Sequence, residues 1–229
     1  PKRQFRVANV LDYGIEEVST HAAALLLAVL RQVCLRDANV RQGIWTKTRA
    51  QPMYRLRDRT LGLVGYGRIA RQTQEKLAGF GYARVLVADP HAVLPPGTQA
   101  ADLDELCAQS DVISLHAPLR PETHHLIDTR RLALMKPSAI LVNTARGGLV
   151  DLDALSDALR DRRLLGAGLD VFETEPPSPA HPIFSLDNLV ASDHIGWYSE
   201  EAMRELQRKA AEEAVRILQG IAPKHWLNA

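Results

Sequence analysis

Six short apolar runs constrain this chain more than any other feature. "TLGLVG" (60–65), "ARVLVAD" (83–89), "DVISLHA" (111–117), "AILVNTA" (139–145), "LLGAGLDVF" (164–172) and "NLVAS" (188–192) show no sustained polar alternation. A strand wetted on one face alternates apolar with polar, whereas a strand covered on both faces reads as a continuous apolar run. The runs therefore predict a parallel sheet with helices on both sides.

The segments between them read as helices. "DLDALSDALRDRR" (151–163) offers Asp151 as N-cap, Leu152, Leu155 and Leu159 on one face, and Gly166 shortly past its end. "SEEAMRELQRKAAEEAVRILQ" (199–219) has Ser199 as cap and Met203, Leu206, Ala210, Ala214 and Ile217 on one stripe. "VANV" (7–10) reads as a short strand. A helix from Glu16 and Glu17 to about Asp37 has so apolar a middle, "AAALLLAVL" (22–30), that it is expected to lie buried between lobes or subunits. That stretch is too short for the ~20 residues of a membrane span. The class is α/β, a doubly wound parallel sheet with right-handed crossovers, and 41–59 is a polar connection.

Charge narrows the partners. With 28 basic and 27 acidic residues the net charge is +1, so no strong field favours nucleic acid or anionic lipid, and a small-molecule ligand is expected. Cys34 and Cys107 read as buried helix positions and as reduced thiols, which fits a cytoplasmic protein better than a disulfide or metal site, and no metal is assigned. "PKRQF" opens no secretory signal and lacks an initiating Met, so the start reads as a cut end.

"LGLVGYGRIARQTQEKL" places Gly65, Gly67 and Ala70 in G-x-G-x-x-A spacing between a strand and a helix. The first glycine permits the tight turn, the second lets backbone approach a pyrophosphate, and the third position needs a small residue for packing. The next strand ends at Asp89, where a carboxylate accepts from a ribose 2′-hydroxyl and repels a 2′-phosphate. Together they favour NAD over NADP.

Arg146, Glu175 and His194 follow the ends of three separate runs. In an open α/β sheet that edge is where ligands bind. A guanidinium fork suits a substrate carboxylate, a histidine suits proton transfer to a carbonyl oxygen, and a glutamate on the other ring nitrogen would fix its tautomer. Each also has a structural reading: a satisfied strand-end histidine, an arginine on backbone carbonyls, an exposed loop glutamate.

The stretches "RTLGLVGYGRIAR", "LHAPLRPETHHLI", "ALMKPSAILVNTARGGLVD", "LGAGLDVFETEPP" and "DHIGWYSEEA" resemble, in order, the NAD-dependent D-isomer-specific 2-hydroxyacid dehydrogenases. "HIGWYSEEA" and "NVLDYGIEEVSTHAA" are most similar to the branch that includes the C-terminal binding proteins, dehydrogenase-fold corepressors. The resemblance implies a Rossmann NAD-binding domain that interconverts a 2-oxo acid and a D-2-hydroxy acid, with Arg146 anchoring substrate, His194 as acid/base and Glu175 as its partner. It further implies cofactor contacts at Arg68, Ile69, His116, Ala117, Pro118, Thr123, Thr144, Ala145, Asp170, His194 and Gly196, beside Gly65, Gly67 and Asp89. Asp170 would face the nicotinamide amide, and Trp197 would line the substrate pocket, although a core position suits it equally.

Departures accompany the match. Asp193 stands where the family usually has proline, which could add a carboxylate near the ring, and Ala22 stands where relatives often carry a hydroxyl. Relatives have a whole substrate-binding lobe before "VANVLDYG", where only "PKRQFR" precedes here, so that lobe is expected to be largely absent. The division expected is a lobe remnant at 1–13, the NAD-binding domain at 14–196, and a C-terminal helix and tail at 197–229 packing towards that lobe. The family implies a homodimer through the apolar helix at 16–37. Two alternatives stay open: an NAD(H)-responsive dimeric binding protein of corepressor type, and a catalytically incomplete NAD-binding fragment.

Overall fold

Successive strand residues point to opposite faces of a sheet, so a run apolar at every position needs two cores. The computed structural model describes residues 7–46 and 51–226, and it has both. Seven strands, β1 (Thr60–Val64), β2 (Arg84–Ala88), β3 (Thr98–Ala100), β4 (Val112–Leu115), β5 (Ile140–Asn143), β6 (Gly166–Leu169) and β7 (Leu189–Ala191), form one sheet in the order β3-β2-β1-β4-β5-β6-β7. Every pairing is parallel. Leu61, Leu63, Val112, Ile140 and Val142 join one core, while Val64, Ile113, Leu115 and Leu141 join the other.

Helices α1 (Ile15–Leu30) and α3 (Arg68–Leu77) pack together on the first face. Helices α4 (Leu103–Gln109), α5 (Thr129–Leu134) and α6 (Leu152–Arg160) pack side by side, their buried leucines in the second core. α1 lies across β5, β6 and β7 and buries Leu25, Leu26, Val29 and Leu30, each contributing about 1.5–3 kcal/mol. The approach is close because β6 reads Gly-Ala-Gly. A Cβ on Gly168 would stand 2.9 Å from the Leu25 Cβ, and one on Gly166 would stand 2.6 Å from Val29 Cγ1. Asp151 caps α6 through the Ala154 N–H, and Ser199 caps α7 (Glu200–Leu218) through the Ala202 N–H.

Several expectations are corrected. The long helix from Glu16 breaks at Arg31–Gln32: Gln32 adopts a left-handed φ of 54° with its amide on the Gln51 carbonyl, and α2 (Val33–Arg41) begins there with no buried residue. Cys34 is consequently exposed, while Cys107 is buried. The 7–10 segment forms only one bridge, Ala8 to Trp226. The α7 stripe is half-buried at Met203, Leu206 and Ile217 and exposed at Ala210 and Ala214. β3 has no counterpart among the predicted strands, since "TQA" is a polar edge strand without an apolar run. Among the described residues no single helix is long and apolar enough to cross a membrane; α1 and α2 pass that test together only as a pair bent by 60°.

Candidate active site at the carboxyl edge of the sheet

The strand order turns back between β1 and β4, and the glycine turn sits at that reversal. Gly65 has φ +82°, and a Cβ there would come within 2.8 Å of the Ala117 amide nitrogen, so the turn and its close approach to the His116–Ala117 backbone both require glycine. Gly67 differs. A Cβ on it meets nothing within 4 Å, and it begins α3 without a side-chain cap, so the fold does not require glycine there, and the open space suits a phosphate. Asp89 Oδ2 accepts the Tyr66 N–H at 2.7 Å and Oδ1 the His91 N–H at 2.9 Å, tying the turn to the end of β2; each oxygen retains a lone pair for a ribose hydroxyl. Ala70 is fully buried, as the small third position demands, and the Arg68 guanidinium reaches the Leu11 carbonyl.

Across the reversal, Ala117 and Pro118 lead into a loop pinned by Thr123, whose hydroxyl donates to the Pro118 carbonyl at 2.7 Å and accepts the Arg120 N–H at 2.7 Å. The His116 ring is hydrogen-bonded to Ser114, and burial pushes its pKa down to about 4. Thr144 Oγ1 is buried with no hydrogen-bond partner, a demand that a bound ligand would satisfy. The adjacent Ala145 N–H binds Asn143 Oδ1, and Asn143 Nδ2 donates to the Arg146 carbonyl, so one buried asparagine shapes the turn.

The three candidate catalytic residues stand at the ends of the neighbouring strands β5, β6 and β7. Arg146 is exposed and makes no ion pair among the described residues; Nη1 donates to the Ala145 carbonyl. The turn after it presses on the segment after β6, for a Cβ on Gly147 would stand 1.9 Å from the Phe172 carbonyl carbon. That segment delivers Glu175, whose Oε1 accepts the Phe172 N–H at 3.0 Å and whose Oε2 lies 2.7 Å from His194 Nδ1. Burial pushes the Glu175 carboxyl up, but the hydrogen bonds from His194 and Phe172 outweigh it and hold it below the usual carboxylate range. The pair borders a cleft of about 570 Å³ walled by Phe172, Pro176, Pro177 and Phe184.

His194 itself has φ +60°, uncommon for a residue with a side chain, and such backbone gathers at functional sites. Asp170 holds it there. The Asp170 carbonyl accepts the His194 N–H at 2.8 Å, Oδ2 accepts the Gly196 N–H, and Oδ1 accepts the Ile195 N–H and the Ser192 hydroxyl. Burial raises the Asp170 carboxyl, yet the bonds from His21, Ser192 and Gly196 bring it below its ordinary value. His21 on α1 and Ser192 escape sequence reasoning; they are linked at 2.8 Å, and no motif spacing joins residues 171 positions apart. Asp170, expected to face the nicotinamide, spends its carboxylate on this loop and is 2% exposed. Asp193 lines the cleft and forms no ion pair with His194. Trp197 is half-buried; it meets Tyr13 edge-on at 6.3 Å and Tyr198 at 5.6 Å, and it does not line this cleft.

Comparison with known proteins agrees with this architecture. The family described as "D-isomer specific 2-hydroxyacid dehydrogenase, NAD binding domain" matches residues 23–196. A glyoxylate reductase of Thermococcus litoralis is 39% identical, over 99% of this chain and 71% of its own length. A crystal structure of a protein from Thermus thermophilus superposes with a TM-score of 0.92 at 39% identity, covering 99% of this chain and 73% of that one. The NAD complex of a D-isomer specific 2-hydroxyacid dehydrogenase from Lactobacillus delbrueckii ssp. bulgaricus gives a TM-score of 0.86 at 27% identity, covering 98% and 72%. The chain thus spans about 70% of the length of these relatives.

Proposed function

The chain belongs to the D-isomer specific 2-hydroxyacid dehydrogenases, NAD-dependent oxidoreductases, and on that footing we propose that Arg146, Glu175 and His194 are its catalytic set for interconverting a small 2-oxo acid and its D-2-hydroxy acid. The observation that carries the reading is the His194–Glu175 pair at 2.7 Å, at the same sheet edge as the Arg146 guanidinium, which follows β5 and has no ion-pair partner among the described residues. NAD supplies or accepts the hydride. Backbone N–H groups at Gly67, Arg68 and Ile69 would hold its pyrophosphate, while the Gly65 N–H is spent on the Ala88 carbonyl and that glycine shapes the turn; Asp89 would hold its ribose, and His116, Ala117, Pro118, Thr123, Thr144, Ala145, Asp170 and Gly196 would border it.

With Nδ1 engaged by Glu175, His194 has Nε2 left to give a proton to the oxygen of a 2-oxo acid, or to take it back in the reverse direction. Glu175 fixes the ring and balances the charge it gains. Arg146 binds the carboxylate through a planar fork that also orients the carbonyl. Glyoxylate is the first substrate to try, from the name of the Thermococcus litoralis relative.

Four finer readings belong to the same proposal. The stretches "HIGWYSEEA" and "NVLDYGIEEVSTHAA" support a likeness to the branch that includes the C-terminal binding proteins. The division at 1–13, 14–196 and 197–229 has support from α1 starting at Ile15 and from the loop closing on Asp170 at Gly196. Exposed Val33, Val40, Ile44 and Trp45 support a homodimer through α2 and its sequel, since α1 spends its apolar side on the sheet. Two free cysteines support a cytoplasmic location.

The test is to offer NAD⁺ with paired D- and L-2-hydroxy acids, and NADH with the matching 2-oxo acids. Turnover of the D-isomers alone is expected. NADH that changes assembly state without any turnover would sink the enzymatic reading in favour of a nucleotide-responsive binding protein.

A further inference from the structure

Outside the catalytic set, two histidines converge on one carboxylate. His124 and His125, on the loop after β4, stack at 4.0 Å with 22° between their rings. His124 Nε2 lies 2.9 Å from Glu173 Oε1, and His125 Nε2 lies 3.1 and 3.2 Å from Glu173 Oε1 and Oε2. The sequence by itself assigns no metal here, because adjacent histidines with a glutamate 48 residues on match no ligand spacing. Folding brings the three together, with their ligand atoms within 4.8 Å of one another.

The geometry is compatible with a cation. A metal bound at about 2.0–2.2 Å needs neighbouring ligand atoms roughly 3.0–3.5 Å apart, and each imidazole Nε2 stands 2.9–3.2 Å from a Glu173 oxygen. Asp151 Oδ2 lies 3.9 Å from His125 Nδ1, too far for a hydrogen bond but close enough to add negative charge beside the rings. The backbone is committed as well: His125 has φ +47° and donates its N–H to the Gly148 carbonyl at 2.8 Å. Burial raises the Glu173 carboxyl, but the hydrogen bonds from His125 and His124 outweigh it, so the group is an anion at neutral pH.

We propose that His124, His125 and Glu173 bind a divalent transition-metal cation of the zinc class through two imidazole nitrogens and a carboxylate. Imidazole donors select against calcium and magnesium, which take oxygen. The cation would tie the loop that carries Thr123 to the segment that carries Glu175. The site stands whether or not the dehydrogenase reading holds.

The test uses untagged, EDTA-stripped protein titrated with Zn²⁺ by calorimetry and with Co²⁺ by visible absorption. One equivalent is expected, with Co²⁺ bands of a nitrogen–oxygen site and a rise in melting temperature on adding Zn²⁺. Glu173→Gln, which keeps size and shape, and His124→Ala should each weaken binding by about ten-fold or more and abolish the thermal rise. His181→Ala, which removes a different histidine–carboxylate pair, should leave binding unchanged. The proposal is overturned if wild type takes up no metal, if Glu173→Gln and His124→Ala bind like wild type, or if His194→Ala removes the equivalent and so places the cation at the catalytic pair.

Discussion

Asp170 accepts the backbone N–H of Gly196 at 2.9 Å, and a Cβ on Gly196 would stand 2.8 Å from the same oxygen. Glycine is what lets the loop close over the carboxylate, and that closure holds His194 in its left-handed conformation.

Asp170→Asn puts an amide NH₂ where an N–H or hydroxyl now donates. A loss of about 2–3 kcal/mol is expected in urea unfolding near neutral pH, together with a fall in kcat as the His194 loop loosens. The folded carboxyl lies below 3.8, so its contribution is full above that unfolded value and is lost as pH falls through the folded one. Wild-type and variant stabilities should therefore converge in acid; a constant gap down to low pH would contradict this role.

Six of the seven strands and the helix caps at Asp151 and Ser199 were legible because burial on two faces and capping chemistry are local signals. β3 was not, because its three residues at the polar edge include no fully buried side chain. The break at Gln32 was invisible for a different reason: it rests on a contact with Gln51 across a connection without period. In the site, glycine spacing and strand ends exposed Gly65, Gly67, Arg146, Glu175 and His194. His21, Ser192 and Asn143 act through hydrogen bonds that the sheet assembles, and Trp197 packs on Tyr13, a residue no pattern connects to it.

Gly67→Ala separates cofactor from fold. Its φ of −77° suits alanine and its Cβ meets no protein atom, so the melting temperature should stay within about 1–2 °C of wild type. NADH affinity, followed by fluorescence, should fall markedly as the methyl group blocks the pyrophosphate. Unchanged affinity would mean that the nucleotide does not cross this turn.

Arg146→Lys keeps the charge and removes the fork. A loss of about 1.5–3 kcal/mol in kcat/KM for the 2-oxo acid is expected, with NADH affinity unchanged. A fall in NADH binding of the same size would reassign the arginine to the cofactor.

His116 gives a pH signature. Its folded pKa of about 4 lies below the ordinary 6.5, so the unfolded chain binds the extra proton between those values, and stability falls as pH drops from 6.5 towards 4. His116→Gln should flatten that part of the profile, by about 3 kcal/mol at the acid end. Parallel curves for wild type and variant would show that the ring titrates alike in both states.

The most direct measurement is NADH oxidation with a panel of 2-oxo acids, glyoxylate first, for wild type against His194→Ala shown to be folded and to bind NADH. The account expects turnover that falls by about 10²–10⁴ in the variant, with Glu175→Gln in between. A folded His194→Ala that turns over as fast as wild type would contradict it.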